Sequence, residues 1–451
     1  MKLGRHRRRG LAVAVAATML LSACGVGSSD SKSSGGAAAS GDANTASDVG
    51  VTATSVSIGT HMPLTGVASP GYSEIPKGSK AYYDYVNAAG GVNKRKIDYK
   101  VLDDTYNPAT TSQVVNQLVL QDKVFAIVGG LGTPTHSAVL DFLNSQGVPD
   151  LFVSSGSLLW NQPKKNPETF GWQPDYEIEA KILGQYVKQN FPKAKVGLFL
   201  QDDDLGVAGE KGAREYLGDQ IVSVAKYVSG NTDVGPQIAQ LQASGADLVI
   251  GFNVPSYTAL SQLTAGALNY KPQWIYSNIG SDPGLVGSLL KKFSKGKVSG
   301  DSPLTDVITT QYMPQNTDTD NPWTQLWNKV WKANGTGGPL TNFEIYGMAE
   351  AYSFVQSLQA AGKNPTRESI VKAVQDQGAK FEGPNFVPFR FSADNHSGIG
   401  GLEVVKLAAD GSAKPVTKVL QTGNDKTDIT PYDGKIFTPP ASGIPDVKPA
   451  G

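Results

Sequence analysis

From residue 56 onward, short runs of β-branched and apolar residues alternate with longer stretches whose apolar positions recur at helical spacing. That alternation predicts βαβ units and a mostly parallel sheet. Strands are expected over 56–60, 97–103, 124–128, 196–200, 221–228, 246–251 and 273–276. Helices are expected over 75–89, closed by Gly90-Gly91, and over 108–122. No tandem repeat of short period runs through the chain. About 400 residues is more than one core accommodates, so two lobes are expected. The ends of the chain follow other patterns. Lys2, Arg5, Arg7, Arg8 and Arg9 precede an uncharged apolar run over 11–21, about half the roughly 20 residues a membrane-spanning helix needs; it reads as a secretory signal that is removed. From Gly25 to about Ala53 the chain is mostly Ser, Gly, Ala, Asp and Asn, which cannot offset its ordering entropy by burial and reads as a flexible tether. Random-coil statistics give it a reach of roughly 30 Å. After about Leu420 comes a Pro-rich tail containing Pro431, Pro439, Pro440, Pro445 and Pro449, expected to wrap the surface or remain mobile.

Charge alters the picture once the signal is removed. The whole chain balances 40 basic against 40 acidic residues; the five basic residues of the signal leave with it, so 35 face 40. A mildly acidic mature chain argues against nucleic acid as a partner. Cys24 is the single cysteine, so no internal disulfide can form and the fold must be held by its core. Leu21-Ser22-Ala23-Cys24-Gly25 resembles the lipobox of bacterial lipoproteins. The resemblance implies cleavage before Cys24, lipidation of its thiol and anchoring to the outer face of the cytoplasmic membrane.

In open α/β sheets, ligands sit outside the carboxyl ends of the strands, where loops and helix N-termini offer N–H donors. Two such loops are rich in hydroxyls: Thr133-Pro134-Thr135-His136-Ser137, and Ser154-Ser155-Gly156-Ser157. Both could present donors to a carboxylate, or simply cap helices. Tyr72, Trp160 and Trp172 could line a cleft or fill the core. Asp202-Asp203-Asp204 reads as a solvated loop rather than a metal site. His61, His136 and His396 stand singly, and Asp141 near His136 lacks a nucleophile pattern, so neither zinc chemistry nor a triad is supported. No nucleophile elbow, P-loop or dinucleotide fingerprint follows a strand. The chain is therefore read as a non-enzyme without cofactors or metals.

Several words of the sequence, taken in order, resemble the type I periplasmic solute-binding proteins of the branched-chain amino acid class. They are Ser57-Ile58-Gly59-Thr60 with Pro63-Leu64-Thr65-Gly66, Asn87-Ala88-Ala89-Gly90-Gly91-Val92, Leu102-Asp103-Asp104-Thr105, Val128-Gly129-Gly130, Gln146-Gly147-Val148-Pro149 and Phe381-Glu382-Gly383-Pro384. The resemblance spans residues 54 to about 420. It implies an α/β fold of two Rossmann-like lobes with parallel sheets, joined by a three-segment hinge near Pro174, Ser302 and Gly400. One lobe would comprise 54–173 with about 302–399, the other 174–301 with about 400–420. It also implies a ligand carboxylate held by Thr133, Ser155 and Ser157, and cleft positions at Tyr176, Leu205 and Asn278; Tyr72 and Val254, in loops after strands, are expected beside them. Two of these depart from the family pattern: Leu205 stands where an aromatic residue is common, and Asn278 where amino-acid binders place an acid for the ligand ammonium. An amide supplies no such charge, and desolvating an ammonium without a counter-charge costs several kcal/mol. The ligand is therefore expected to carry a carboxylate or amide without a free α-amino group, unless Asp175, Glu177 or Asp202 takes over. The implied function is capture of a branched-chain amino acid or related carboxylate or amide by lobe closure, and delivery to a membrane permease with its ATPase, as in ABC importers. The alternatives are a ligand-sensing receptor subunit of the same fold and a binder of aromatic acids.

Overall fold

The computed structural model describes residues 43–299, 304–425 and 428–449. The signal, Cys24, most of the tether and the expected hinge at Ser302 lie outside the described residues.

Two parallel sheets are built from the same plan. The first contains β1 (Ser55–Met62), β2 (Lys96–Asp103), β3 (Ala126–Val128), β4 (Asp150–Val153) and β5 (Thr169–Gly171) in the order β2-β1-β3-β4-β5. The second begins with β6 (Val196–Gln201), β7 (Ile221–Tyr227), β8 (Leu248–Phe252), β9 (Gln273–Tyr276) and β10 (Ile308–Gln311) in the equivalent order β7-β6-β8-β9-β10. The central strands are buried along their whole length, β6 and β8 at every residue, because helices cover both faces of a parallel sheet. The strand order reverses beside β1 and beside β6, and such switch points open crevices at the carboxyl ends. The second sheet continues with antiparallel β11 (Gly401–Leu407), on which β12 (Ala413–Pro415) pairs, and then β13 (Leu420–Gln421) and β14 (Thr430–Pro431).

The helices are, in chain order, α1 (Ile75–Ala88), α2 (Pro108–Asn116), α3 (Thr133–Ser137), α4 (Leu140–Ser145), α5 (Tyr176–Asn190), α6 (Asp204–Leu217), α7 (Gly235–Ala243), α8 (Pro255–Ala267), α9 (Pro283–Phe293), α10 (Pro322–Asn334), α11 (Asn342–Ala360) and α12 (Arg367–Gln377). α11 starts with a capping box, Thr341 and Glu344, and its length reflects burial on nearly every side. It lies against α1 so closely that a Cβ on Gly78 would stand 2.1 Å from the Glu344 carbonyl oxygen, and one on Gly347 2.1 Å from that of Ile75. Glycine at both positions is what allows the two backbones to touch.

Three segments cross between the sheets. Residues 172–175 run from β5 into α5. Residues 398–400 lie beside them, with Ile399 N–H donating to the Trp172 carbonyl at 3.1 Å. The third crossing follows β10, at 312–315. The return to the first sheet expected at about 302 is thus corrected: Ile308–Gln311 pairs with β9 and β11 in the second sheet, and only then do α10 to α12 pack on the first. One further expectation changes, and one pair of alternatives is decided. Residues 43–53 are docked rather than free, since Arg95 donates to the carbonyls of Thr45 and Thr52 and Asp48 accepts from Arg367 N–H at 2.7 Å. The tail wraps the first lobe, where Tyr82 donates to the Gly443 carbonyl (2.9 Å), Trp323 to that of Phe437 (2.8 Å) and Gln359 to that of Pro445 (2.6 Å). Proline-rich chain has few N–H groups of its own, so here the helices supply the donors. Among the described residues, no helix is long and apolar enough to cross a membrane.

Candidate functional site

A cleft of about 1040 Å³, counting the space open to solvent, lies where the carboxyl ends of both sheets face each other. Its lining follows the strand order. Tyr106 comes after β2, Leu131 and Gly132 after β3, Ser154 after β4, Leu205 after β6, Val254 after β8, Asn278 after β9 and Tyr312 after β10. The start of α11 contributes Asn342, Phe343, Ile345 and Tyr346. Hydrogen bonds bridge the rim: Tyr72 donates to the Ile279 carbonyl at 3.2 Å, and Ser256 to that of Val67 at 2.7 Å. At the floor by the crossings, Tyr346 donates to Gln173 Oε1 at 3.0 Å.

Of the residues expected from the sequence, Tyr72, Tyr176, Leu205, Val254 and Asn278 line this cleft. Thr133, Ser155 and Ser157 sit just behind it and are buried. The Thr133 and Ser155 hydroxyls pair with each other at 2.8 Å, and Tyr176 reaches Ser155 at 3.4 Å. Ser157 caps the turn Leu158–Trp160 by accepting from Leu159 N–H. Trp160 and Trp172 are core residues; their indole N–H groups donate to the Ser155 carbonyl and the Ser353 hydroxyl respectively.

The second wall is organised by a residue the sequence reading passed over. Glu179 projects from α5, fully buried, and accepts four hydrogen bonds: from Ser277 Oγ (2.6 Å), Asn278 N–H (2.8 Å), Asn278 Nδ2 (2.8 Å) and Thr310 Oγ1 (2.5 Å). It ties the ends of β9 and β10 together. Burial pushes its carboxyl up, against the four donors that lower it. Asn278 Nδ2 also reaches Thr310 Oγ1 at 3.2 Å, so both amide protons are engaged and Oδ1 is the remaining polar atom of that side chain. The three acids considered as substitutes do other work. Asp175 caps α5 and pairs with Arg390, Glu177 pairs with Lys211 at 2.7 Å, and Asp202 is exposed. A helix-borne acid one turn beyond Asp175 was the available signal for Glu179.

Behind the first wall lie two more buried acid systems. Glu350 of α11 accepts from Ser154 Oγ at 2.8 Å, and burial pushes its carboxyl up to about 8. Its folded pKa exceeds its ordinary 4.5, so it favours the fold most below that value and this contribution is lost as pH rises toward 8. Glu350→Gln is expected to raise unfolding free energy by on the order of 3 kcal/mol at pH 8 and little at pH 5, as read from urea melts at both pH values. The other system corrects the view of scattered histidines. His61 Nδ1 meets Asp104 Oδ2 (2.7 Å), His61 Nε2 meets His136 Nδ1 (2.9 Å), and His136 Nε2 meets Asp150 Oδ2 (2.8 Å), all fully buried. Among the described residues no cluster of His, Cys, Asp and Glu is arranged to hold a metal ion.

Comparison with known proteins places this geometry. The sequence profile described as periplasmic binding protein matches residues 55–412. A Leu/Ile/Val-binding protein homolog from Brucella suis biovar 1 (strain 1330) is 25% identical over 342 residues, covering 72% of this chain and 83% of that protein. A branched-chain amino acid ABC transporter structure from Thermus thermophilus with bound valine superposes with a TM-score of 0.69 at 19% identity, covering 82% of this chain and 97% of the other. A fatty acid ABC transporter substrate-binding protein from Thermomonospora curvata gives 0.70 at 21% identity, covering 83% and 94%. These structures share the fold.

Proposed function

Because the chain belongs to the periplasmic binding protein family and has its type I fold, we propose that it captures a small molecule between its lobes and hands it to a membrane permease driven by an ATPase. The observation that carries this reading is the cleft itself: it gathers side chains from the carboxyl ends of both sheets, and Tyr72–Ile279 and Ser256–Val67 close its rim. A ligand touching both walls favours the shut form over the open one, with the crossings at 172–175, 312–315 and 398–400 absorbing the motion. Cys24 and the segment after it would keep this body near the permease. Capture needs no bond-making group; among the described residues the cleft lining contains no Lys, Arg or His.

A solute screen by thermal shift tests the capture reading. At 100 times its Kd a ligand adds about 2.7 kcal/mol to the folded state, a rise of several degrees in Tm. The anchor is tested separately: Cys24→Ala is expected to move the protein from the membrane fraction of producing cells to the soluble exported fraction, and unchanged membrane retention would contradict lipidation at Cys24.

A further inference from the structure

Resting on the capture reading, we propose that the molecule this cleft takes is uncharged and mainly apolar. A zwitterion needs an anchor at each end. For the ammonium, Glu179 is fully buried behind Asn278 and already accepts from Ser277, Asn278 and Thr310. Among the described residues the one acid in the lining, Asp282, accepts from Leu285 N–H and Asn342 Nδ2, both at 2.8 Å. For the carboxylate, the Thr133 and Ser155 hydroxyls are paired with each other and Ser155 also accepts from Tyr176, and among the described residues no cationic side chain lines the cleft. Placing either charge here would remove it from water without a free counter-charge, which costs several kcal/mol.

What the cleft does offer is ring and aliphatic surface. Tyr72, Tyr106, Tyr176, Tyr312 and Tyr346 stand around it, and burial pushes all five phenols up, so they remain neutral. Phe343, Leu205, Val254 and Met313 fill the spaces between them. The lining runs from the rim at Tyr72 to the crossings at Gln173 and Tyr312. Asn278 Oδ1 is an acceptor for one neutral donor, a hydroxyl or N–H, on such a molecule.

The test uses skeleton-matched probes on the purified protein by titration calorimetry: phenylalanine, 3-phenylpropionate and 3-phenylpropanol, with leucine, decanoate and decan-1-ol beside them. The neutral alcohol of the phenyl series is expected to bind at least tenfold more tightly than its anion or zwitterion, and decanol more tightly than decanoate. Tightest binding by leucine or phenylalanine overturns the ligand class and leaves capture standing. Tightest binding by the two anions also overturns it, pointing to a carboxylate site at Thr133 and Ser155. Absence of binding by every probe overturns the ligand class, and the solute screen then decides capture.

Discussion

Replacing Glu179 by leucine is expected to cost on the order of 4 kcal/mol of stability and to abolish ligand binding. The carboxylate accepts from Ser277 Oγ, Asn278 N–H, Asn278 Nδ2 and Thr310 Oγ1; leucine leaves those donors facing an apolar side chain, at about 1–3 kcal/mol for each that finds no other partner. Relief of the buried acid's desolvation offsets part of this loss. Glu179→Gln keeps one carbonyl oxygen for Asn278 and is expected to cost only about 1 kcal/mol. Urea midpoints of the two variants separate the cases, and equal midpoints would show that the acid does not hold the ends of β9 and β10 together.

The second large effect is expected in the chain Asp104–His61–His136–Asp150. Its three gaps of 2.7 to 2.9 Å link two carboxylates and two imidazoles out of reach of water. Asp150 also accepts from Thr169 Oγ1 at 2.9 Å. Asp150→Ala strands His136 Nε2 and the Thr169 hydroxyl, and the expected loss is about 3–5 kcal/mol, as for one partner removed from a buried charged pair. Asp104 and Asp150 share no atom, yet the histidine pair couples them. The double variant is therefore expected to lose less than the two single losses added, by more than the roughly 0.5 kcal/mol scatter of independent sites. Strict additivity would show that the two ends act alone.

His396 adds a pH dependence of opposite sign to that of Glu350. Its Nδ1 lies 2.8 Å from the Thr169 carbonyl, and burial lowers it to about 4 from the ordinary 6.5. The unfolded chain therefore takes up a proton that the folded one refuses. This contribution is complete above 6.5 and is lost as pH falls toward 4.

The alternation of short apolar runs and helical stretches made the two-sheet architecture legible, because strands buried on both faces must be continuously apolar. β10 was missed for the converse reason: Ile308-Thr309-Thr310-Gln311 is mostly polar, its threonines serving Glu179 and Ser281 rather than the core. That omission displaced the third crossing and concealed the cleft wall formed by 309–315. Loops directly after strands were readable, hence Val254, and the family resemblance singled out Leu205 and Asn278 in two more of them. Tyr312 and Tyr346 reach the cleft from a crossing and from the start of a helix, where no local pattern separates ligand wall from core. His61 and His136 are 75 residues apart; β1 and α3 bring them together, and spacing along the chain carries no trace of it. The tail composition left wrapping and mobility both open; carbonyls without neighbouring N–H groups suit it to helices that present Tyr, Trp and Gln donors.

The central claim is that the two lobes shut on a molecule held between them. Small-angle X-ray scattering of the purified protein, free and saturated with the tightest-binding probe, tests it most directly. A smaller radius of gyration on saturation, lost when Leu205→Asp places a charge in the cleft, is the predicted result. An unchanged radius with bound ligand would contradict closure.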